Sequence, residues 1–287
     1  MPEEIKKITK ETKFGLNPTP KDKKDFDYGK VFGGYFVDVP MEDFDVGIEP
    51  MIEDQKATDY CPAMASSSVA EDHEGMDLDP LFSFAAIKSI DGKPNEWGSD
   101  LRSAAKAACK IGFLEKKDAI FTIDDDRTKI IYLNNYPDYL KEKAKEHCQQ
   151  SYFWVRGKDT FQAIRRVLWA NKATKSSIFT GVNWRAGWEE SEEGIIPTEE
   201  SDQWQGHALK LRGQKIINGV PYLKAQLSNG ETIGDKGIFY FPQEVINRDF
   251  TFGAIFFSDM LPEIAKQKAW SLGRRIWESI KKFFSEL

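Results

Sequence analysis

The residues able to do chemistry in this chain begin with Cys61. It opens the run Cys61-Pro62-Ala63-Met64-Ala65-Ser66-Ser67-Ser68-Val69-Ala70-Glu71, directly after Thr58-Asp59-Tyr60. Small and apolar residues behind a Thr/Asp pair predict a helix over 61–72. Thr58 or Asp59 would cap it, and Pro62 suits a first turn where its missing N–H costs nothing. A thiol at that end of a helix meets unpaired N–H groups and partial positive charge, which favour the thiolate. A thiolate nucleophile needs a base. Of the three histidines, only His207 lies in a strand-like segment between small residues, Gly206-His207-Ala208, where an imidazole can reach across a cleft. His73 and His147 read as helix-surface residues. Gln55, just upstream of Cys61, is a further polar candidate.

The surrounding pattern supplies elements to position these groups. Helical spacing recurs over 78–88, over 99–111 (Leu101, Ala104, Ala105, Ala108 and Ile111, with Gly112 as the stop), over 137–148 and over 158–172. Residues 31–54 read as strand and loop, with Tyr35, Val37 and Val39 alternating. Short apolar or alternating runs at 177–182, 207–211, 222–227 and 237–241 are bounded by Gly, Asn and Pro and read as strands. Helices come first and strands second, which predicts an α+β fold. The 287 residues suit one large domain or two lobes, and 40% hydrophobic with 13% aromatic residues suffices for a sizeable core. A net charge of −6 leaves no basic footprint for nucleic acid. Cys61, Cys109 and Cys148 are too few and odd in number for a disulfide framework, and the histidines and cysteines lack metal-ligand spacing. No cofactor or metal is expected.

Together, Gln55…Cys61 and Gly206-His207-Ala208 resemble the active-site motifs of papain-like (C1-type) cysteine peptidases, in the right order. The separation of Cys61 from His207 falls within the roughly 130–150 residues of that family. Gly234-Asp235-Lys236-Gly237-Ile238-Phe239-Tyr240-Phe241 is similar to the stretch that closes the family's second lobe. Glu96-Trp97-Gly98-Ser99-Asp100-Leu101 is similar to its substrate-pairing loop, with Gly98 the matching glycine. The resemblance spans roughly 50–245. It implies a two-lobed fold: an extended arm over 1–30, then a papain-like domain over 31–258 with a helical lobe at about 55–150 and a β-rich lobe at about 151–258. It also implies peptide-bond hydrolysis in which Cys61 attacks, His207 is base and then acid, and Gln55 with the Cys61 N–H holds the oxyanion. Gly98 and Gly206 would line the substrate site, and peptides or proteins would be the substrates.

The chain also departs from the family. Counting back from Gly234 without a gap puts Leu227-Ser228-Asn229-Gly230 on the motif that supplies an Asn to orient the His, so Leu227 stands at the Asn position; Gln226 or Asn229 could substitute after a local shift. Asp59, Tyr60 and Pro62 alter the setting of Cys61, and a negative charge at Asp59 would raise the thiol's pKa. The alternative function is therefore a catalytically degenerate relative serving as a structural or binding component of an assembly. Residues 1–30 read as a short polar lead-in of the bacterial or phage type rather than a long helical prosegment. The acidic stretch 189–202 reads as a solvated loop leading to His207. At 259–287, Trp270, Trp277 and Phe284 recur every seven residues among Lys and Arg, predicting an amphipathic helix that packs on its own body or docks on a protein partner or oligomer, with membrane binding the less favoured role. No signal peptide or transmembrane stretch is evident, which suggests a cytoplasmic or virion-associated setting.

Overall fold

The computed structural model of the chain describes residues 14–20, 22–23, 25–32, 38–47 and 52–260. All but the first two residues of the amphipathic helix expected at 259–287, the alternation at Tyr35 and Val37, and half of the expected arm over 1–30 lie outside the described residues. Beyond the short helix α1 (Tyr28–Val31) and strand β1 (Phe44–Asp45), helices dominate the first half: α2 (Cys61–Glu74), α3 (Pro80–Asp91), α4 (Leu101–Lys110), α5 (Arg127–Ile130) and α6 (Asp138–Lys145). Strands dominate the second: β2 (Ser151–Val155), β3 (Ile178–Arg185), β4 (Trp204–Ile217), β5 (Val220–Gln226), β6 (Ile238–Pro242) and β7 (Gly253–Ser258). Helices α7 (Thr160–Ala170) and α8 (Gln243–Asp249) lie among them in sequence. The α+β class expected from the sequence is the one observed.

Local chemistry explains the helix ends. Asp79 Oδ1 accepts from Leu81 N at 3.0 Å ahead of Pro80 in α3, and Asp100 Oδ1 accepts from Arg102 N and Ser103 N at the start of α4. Gly75 and Gly92 close α2 and α3 in the left-handed conformation, where glycine pays no Cβ penalty. Helix α2 differs from the expectation at its start. Its cap residue is Tyr60, with no side-chain cap bond, and Asp59 and Thr58 are engaged elsewhere. Every residue from Cys61 to Asp72 is buried. Ser66 and Ser67 turn their hydroxyls back onto Ala63 O, so the polar run fits inside the core.

The sheet runs β2-β7-β3-β4-β5-β6, with β1 added against β4, and all pairs are antiparallel. The long strand β4 pairs with β3 along its first half and with β5 along its second, changing partner at a register shift near Leu211–Gly213. Its side chains alternate between two cores. Ala208 packs with α2–α4, in a cluster that includes Phe179, Ile255 and Phe257. Leu209 and Leu211 pack in the opposite cluster, with Trp184, Trp188, Phe239, Phe241 and α7. The register sets His207 opposite Val182 at the end of β4 where α2 begins. Strands β2 and β7 and helix α8 were not read from the sequence. In the 31–54 region, Phe44–Asp45 is the strand among the described residues.

Candidate active site

Cys61 is the first residue of α2 and has no exposure. Backbone N–H groups of Ala208, Gly15 and Cys61 itself point to its sulfur and favour the thiolate, with Gly15 N at 3.3 Å from Sγ. Burial outweighs them, helped by the charge on Asp59, and pushes the thiol up to about 12. Gln55 is buried and held from both ends. Its N–H donates to Ser228 O at 2.8 Å, Ser228 Oγ donates to its Oε1 at 2.6 Å, and its Nε2 donates to Thr58 O at 3.1 Å. A primary amide carries two N–H groups, and Thr58 takes one.

His207 is also fully buried, one residue from the Ala208 N–H that faces Cys61 Sγ. Its imidazole is packed by rings, with Phe14 at 4.7 Å and Trp184 at 5.8 Å between centroids. Burial pushes its pKa down to about 3, and the Asn229 side chain beside it works in the opposite direction. That contact is looser than a standard hydrogen bond: the two ring nitrogens and Asn229 Oδ1 make none of regular geometry among the described residues. The side chain beside the imidazole thus comes from Asn229. Leu227, which the ungapped motif count sets at the expected Asn position, is 2% exposed within the apolar cluster of Trp184 and Phe239.

The cleft over Cys61 is filled by the chain's own residues Phe14–Asn17. Leu16 N donates to Gly206 O at 3.1 Å, Asn17 N donates to Ser99 O at 2.8 Å and Ser99 N donates to Gly15 O at 2.8 Å. Leu16 thereby pairs with Ser99 in the parallel sense. Backbone lies on backbone at this crossing because side chains are absent from it. A Cβ on Gly98 would sit 1.9 Å from Gly15 O, and one on Gly206 would sit 2.3 Å from Leu16 O. Gly98 and Gly206 therefore line the cleft, while the pairing groups belong to Ser99 and Gly206 O. Gly98 turns its own groups inward, its N–H to Asp59 Oδ2 at 2.6 Å and its carbonyl to Lys88 Nζ at 2.8 Å. Asp59, with no exposure, also takes a forked contact from Arg127, Nε to Oδ1 at 3.1 Å and Nη2 to Oδ2 at 2.7 Å.

Asn229 was one of two alternatives, with Gln226, for the orienting residue, whereas Ser228, Ser99, Arg127 and the Phe14–Asn17 segment were not singled out as site residues from the sequence. The ungapped motif count had already set Ser228 and Asn229 beside the expected Asn, whereas no local signal marks Arg127. His147 stands away from the cleft, its Nδ1 3.1 Å from Glu74 Oε2. In the acidic stretch, Glu189 is buried and accepts from Trp184 Nε1 at 3.4 Å, so it supports a ring that packs His207. Among the described residues no group of three or more His, Cys, Asp or Glu side chains could hold a metal ion. No described helix is long and apolar enough to cross a membrane.

No family model matches the sequence, and no curated protein does. Solved structures do. Xylellain, a cysteine protease from Xylella fastidiosa, superposes with a TM-score of 0.68 at 19% identity, over 88% of this chain and 97% of that one. The digestive procathepsin L2 proteinase of Tenebrio molitor larval midgut gives 0.65 at 19% identity, over 90% and 80%. The proCathepsin B S9 of Trypanosoma congolense gives 0.62 at 14%, over 88% of each chain. Identities this low speak for the fold alone, and that fold, a helical half and an antiparallel sheet meeting at Cys61, is the papain-like cysteine protease fold.

Proposed function

We propose that this protein is a papain-like cysteine peptidase that hydrolyses peptide bonds through an acyl-enzyme. In this reading His207 takes the Cys61 Sγ proton and the sulfur attacks the scissile carbonyl. The resulting oxyanion is held by the Cys61 N–H and the second Nε2–H of Gln55. His207 then protonates the leaving amine, and the thioester is hydrolysed by water with His207 as base. Asn229, in place of the motif residue Leu227, orients the imidazole.

The observation that carries the reading is the bound segment. An extended peptide lies backbone-to-backbone across Ser99 and Gly206, with an N–H at 3.3 Å from the sulfur. A surface that holds a peptide there holds substrate there. Its parallel pairing with Ser99, and the burial of Cys61 and His207 beneath it, make it a plug that must leave before substrate enters.

One observation favours the second reading, a degenerate papain-fold binding component. With the segment seated, the thiol at about 12 and the imidazole at about 3 are both neutral at pH 7. Burial is the leading cause of both shifts, so clearing the cleft separates the readings. Leu16 is 6% exposed, and Leu16→Glu buries a carboxylate that drives the segment out. The full chain carrying Leu16→Glu, treated with an epoxide or vinyl-sulfone probe of cysteine peptidases, is expected to form an adduct that disappears in Cys61→Ala. A folded Leu16→Glu chain that takes no label at Cys61 overturns the enzyme reading and leaves the binding component.

A further inference from the structure

One carboxylate ties the nucleophile segment to the loop that docks the peptide. Asp59 lies two residues before Cys61, is completely buried, and is shared between Gly98 N and the Arg127 fork. Arg127 opens α5, and its remaining N–H groups hold the same loop further back, Nη2 to Glu96 O at 3.0 Å and Nη1 to Pro94 O at 3.3 Å. Its guanidinium lies 5.6 Å from the centre of the Trp97 ring and 5.8 Å from that of Phe84. From the other side, Lys88 Nζ bonds Gly98 O and Glu96 O, and Asp91 Oδ2 accepts from both Lys88 and Ser99 Oγ. Residues 94–99 are therefore fixed from below by buried charges, and the upper edge of the loop, the N–H and carbonyl of Ser99, is what pairs with the peptide. Among the described residues the four hydrogen bonds of Arg127 go to Asp59, Pro94 and Glu96.

Resting on the peptidase reading, we propose that Asp59 and Arg127 are positioning residues of this site. Their ion pair sets the height of the Ser99 backbone over Cys61, and so the affinity for extended peptide. The planar fork is essential, because a lysine offers one point of charge where Arg127 makes four hydrogen bonds.

The test separates docking from chemistry in the full chain. In a Leu16→Glu, Cys61→Ala background, a fluorescein-labelled peptide of the chain's own residues 12–19 is titrated by anisotropy. Arg127→Met is expected to raise its Kd at least about tenfold, the scale of two misaligned backbone hydrogen bonds. Arg127→Lys is expected to fall between Arg127→Met and the unsubstituted residue. With Cys61 restored, KM for a peptide substrate should rise in the same ratio in Arg127→Met and by more than kcat falls, while iodoacetamide alkylation of Cys61 slows because the unneutralised Asp59 charge raises the thiol further. An unchanged Kd in folded Arg127→Met overturns the proposal. If that variant does not fold, Arg127→Lys decides alone: about threefold or more weakening supports the clamp and an unchanged Kd refutes it. Weakened peptide binding in a background where the Leu16→Glu chain cleaves nothing upholds the clamp and removes the peptidase reading instead.

Discussion

The two walls of the cleft are held by different physics. On the helix side, Gln55, Asp59, Gly98 and Ser99 are each fixed by hydrogen bonds whose partners are themselves fixed. On the strand side, His207 has no such anchor of standard geometry among the described residues and sits among rings, with Phe14 and Trp184 first and Trp188, Phe239 and Phe241 behind Trp184. Hydrogen bonds to buried polar atoms are directional and costly to leave unmade. Ring packing is non-directional and tolerates small rotations. In the proposed peptidase reading, the donors for an oxyanion are thus set before substrate arrives, whereas the base is free to settle once Phe14 leaves its face. On that reading, the wall proposed to offer fixed dipoles is polar, and the wall proposed to move a proton is apolar.

The largest effect expected from this contrast is catalytic. In the Leu16→Glu background, His207→Ala should lower kcat/KM by about 10²–10⁴, the span of general acid–base catalysis. Gln55→Ala should cost about 10²–10³, the loss of one oxyanion donor. Peptide hydrolysis assays check both, and equal activity in Gln55→Ala would mean that the rigid wall is not the oxyanion wall. Next comes stability. Asp59→Ala removes the carboxylate paired with Arg127 and orphans Gly98 N–H, which should cost about 3 kcal/mol, at the low end for a broken buried pair because the Arg127 side chain is 25% exposed. Trp184→Phe trims a packed ring and loses the long Nε1–H donation to Glu189, and should cost about 1–2 kcal/mol. Urea denaturation of both variants ranks the two kinds of support, and a larger loss at Trp184 would reverse the ranking of the walls.

The helix wall should also show its burial in pH dependence. Glu71, inside α2, accepts from Leu78 N at 3.2 Å, and burial pushes its carboxyl up to about 7 against the lowering effects of that N–H and of Lys210. A folded-state pKa above the unfolded value of 4.5 means that the contribution to stability is complete below about 4.5 and is lost as pH rises through about 7. Glu71→Gln keeps the acceptor and removes the titration. It should spare the chain about 2–3 kcal/mol of the loss between pH 5 and 8, read as a flatter urea midpoint across that range. Asp79, raised by burial to about 6, titrates in the same direction and leaves a smaller slope behind.

The parts of this arrangement that could be read from the sequence were the local ones. A run of small residues after a helix-start signal marks Cys61, and a His between Gly and Ala at the start of an alternating run marks His207. Each inference needs only a few neighbours. Segregated helices and strands gave the fold class for the same reason. What escaped depends on distant partners. Asp59 read as a cap because a carboxylate before a helix usually is one, yet Arg127, 68 residues away, claims it together with Gly98. Strands β2 and β7 pair with each other from positions about a hundred residues apart, and Tyr152-Phe153-Trp154-Val155 is too continuously apolar to show a period. Phe14-Gly15-Leu16 holds too few apolar residues among Lys and Asp to announce that it fills a cleft.

Asn229 is the finest instance of that limit, because counting residues finds Leu227 at the motif position while the side chain beside His207 belongs to Asn229. Its contact raises the imidazole's pKa against burial, so it stabilises the protonated ring. Asn229→Ala should therefore let the imidazolium of the working Cys61–His207 pair lose its proton at lower pH. In the Leu16→Glu background the alkaline limb of the kcat/KM profile should move down, by at most about one unit, with about a tenfold fall in the plateau. Asn229→Asp places a full charge at the same point and should move that limb upward. A purely structural role for Asn229 would lower the plateau without shifting the limb in opposite directions in the two variants. A limb that stays fixed in both would leave His207 oriented by Trp184 alone, and the strand wall would then be apolar throughout.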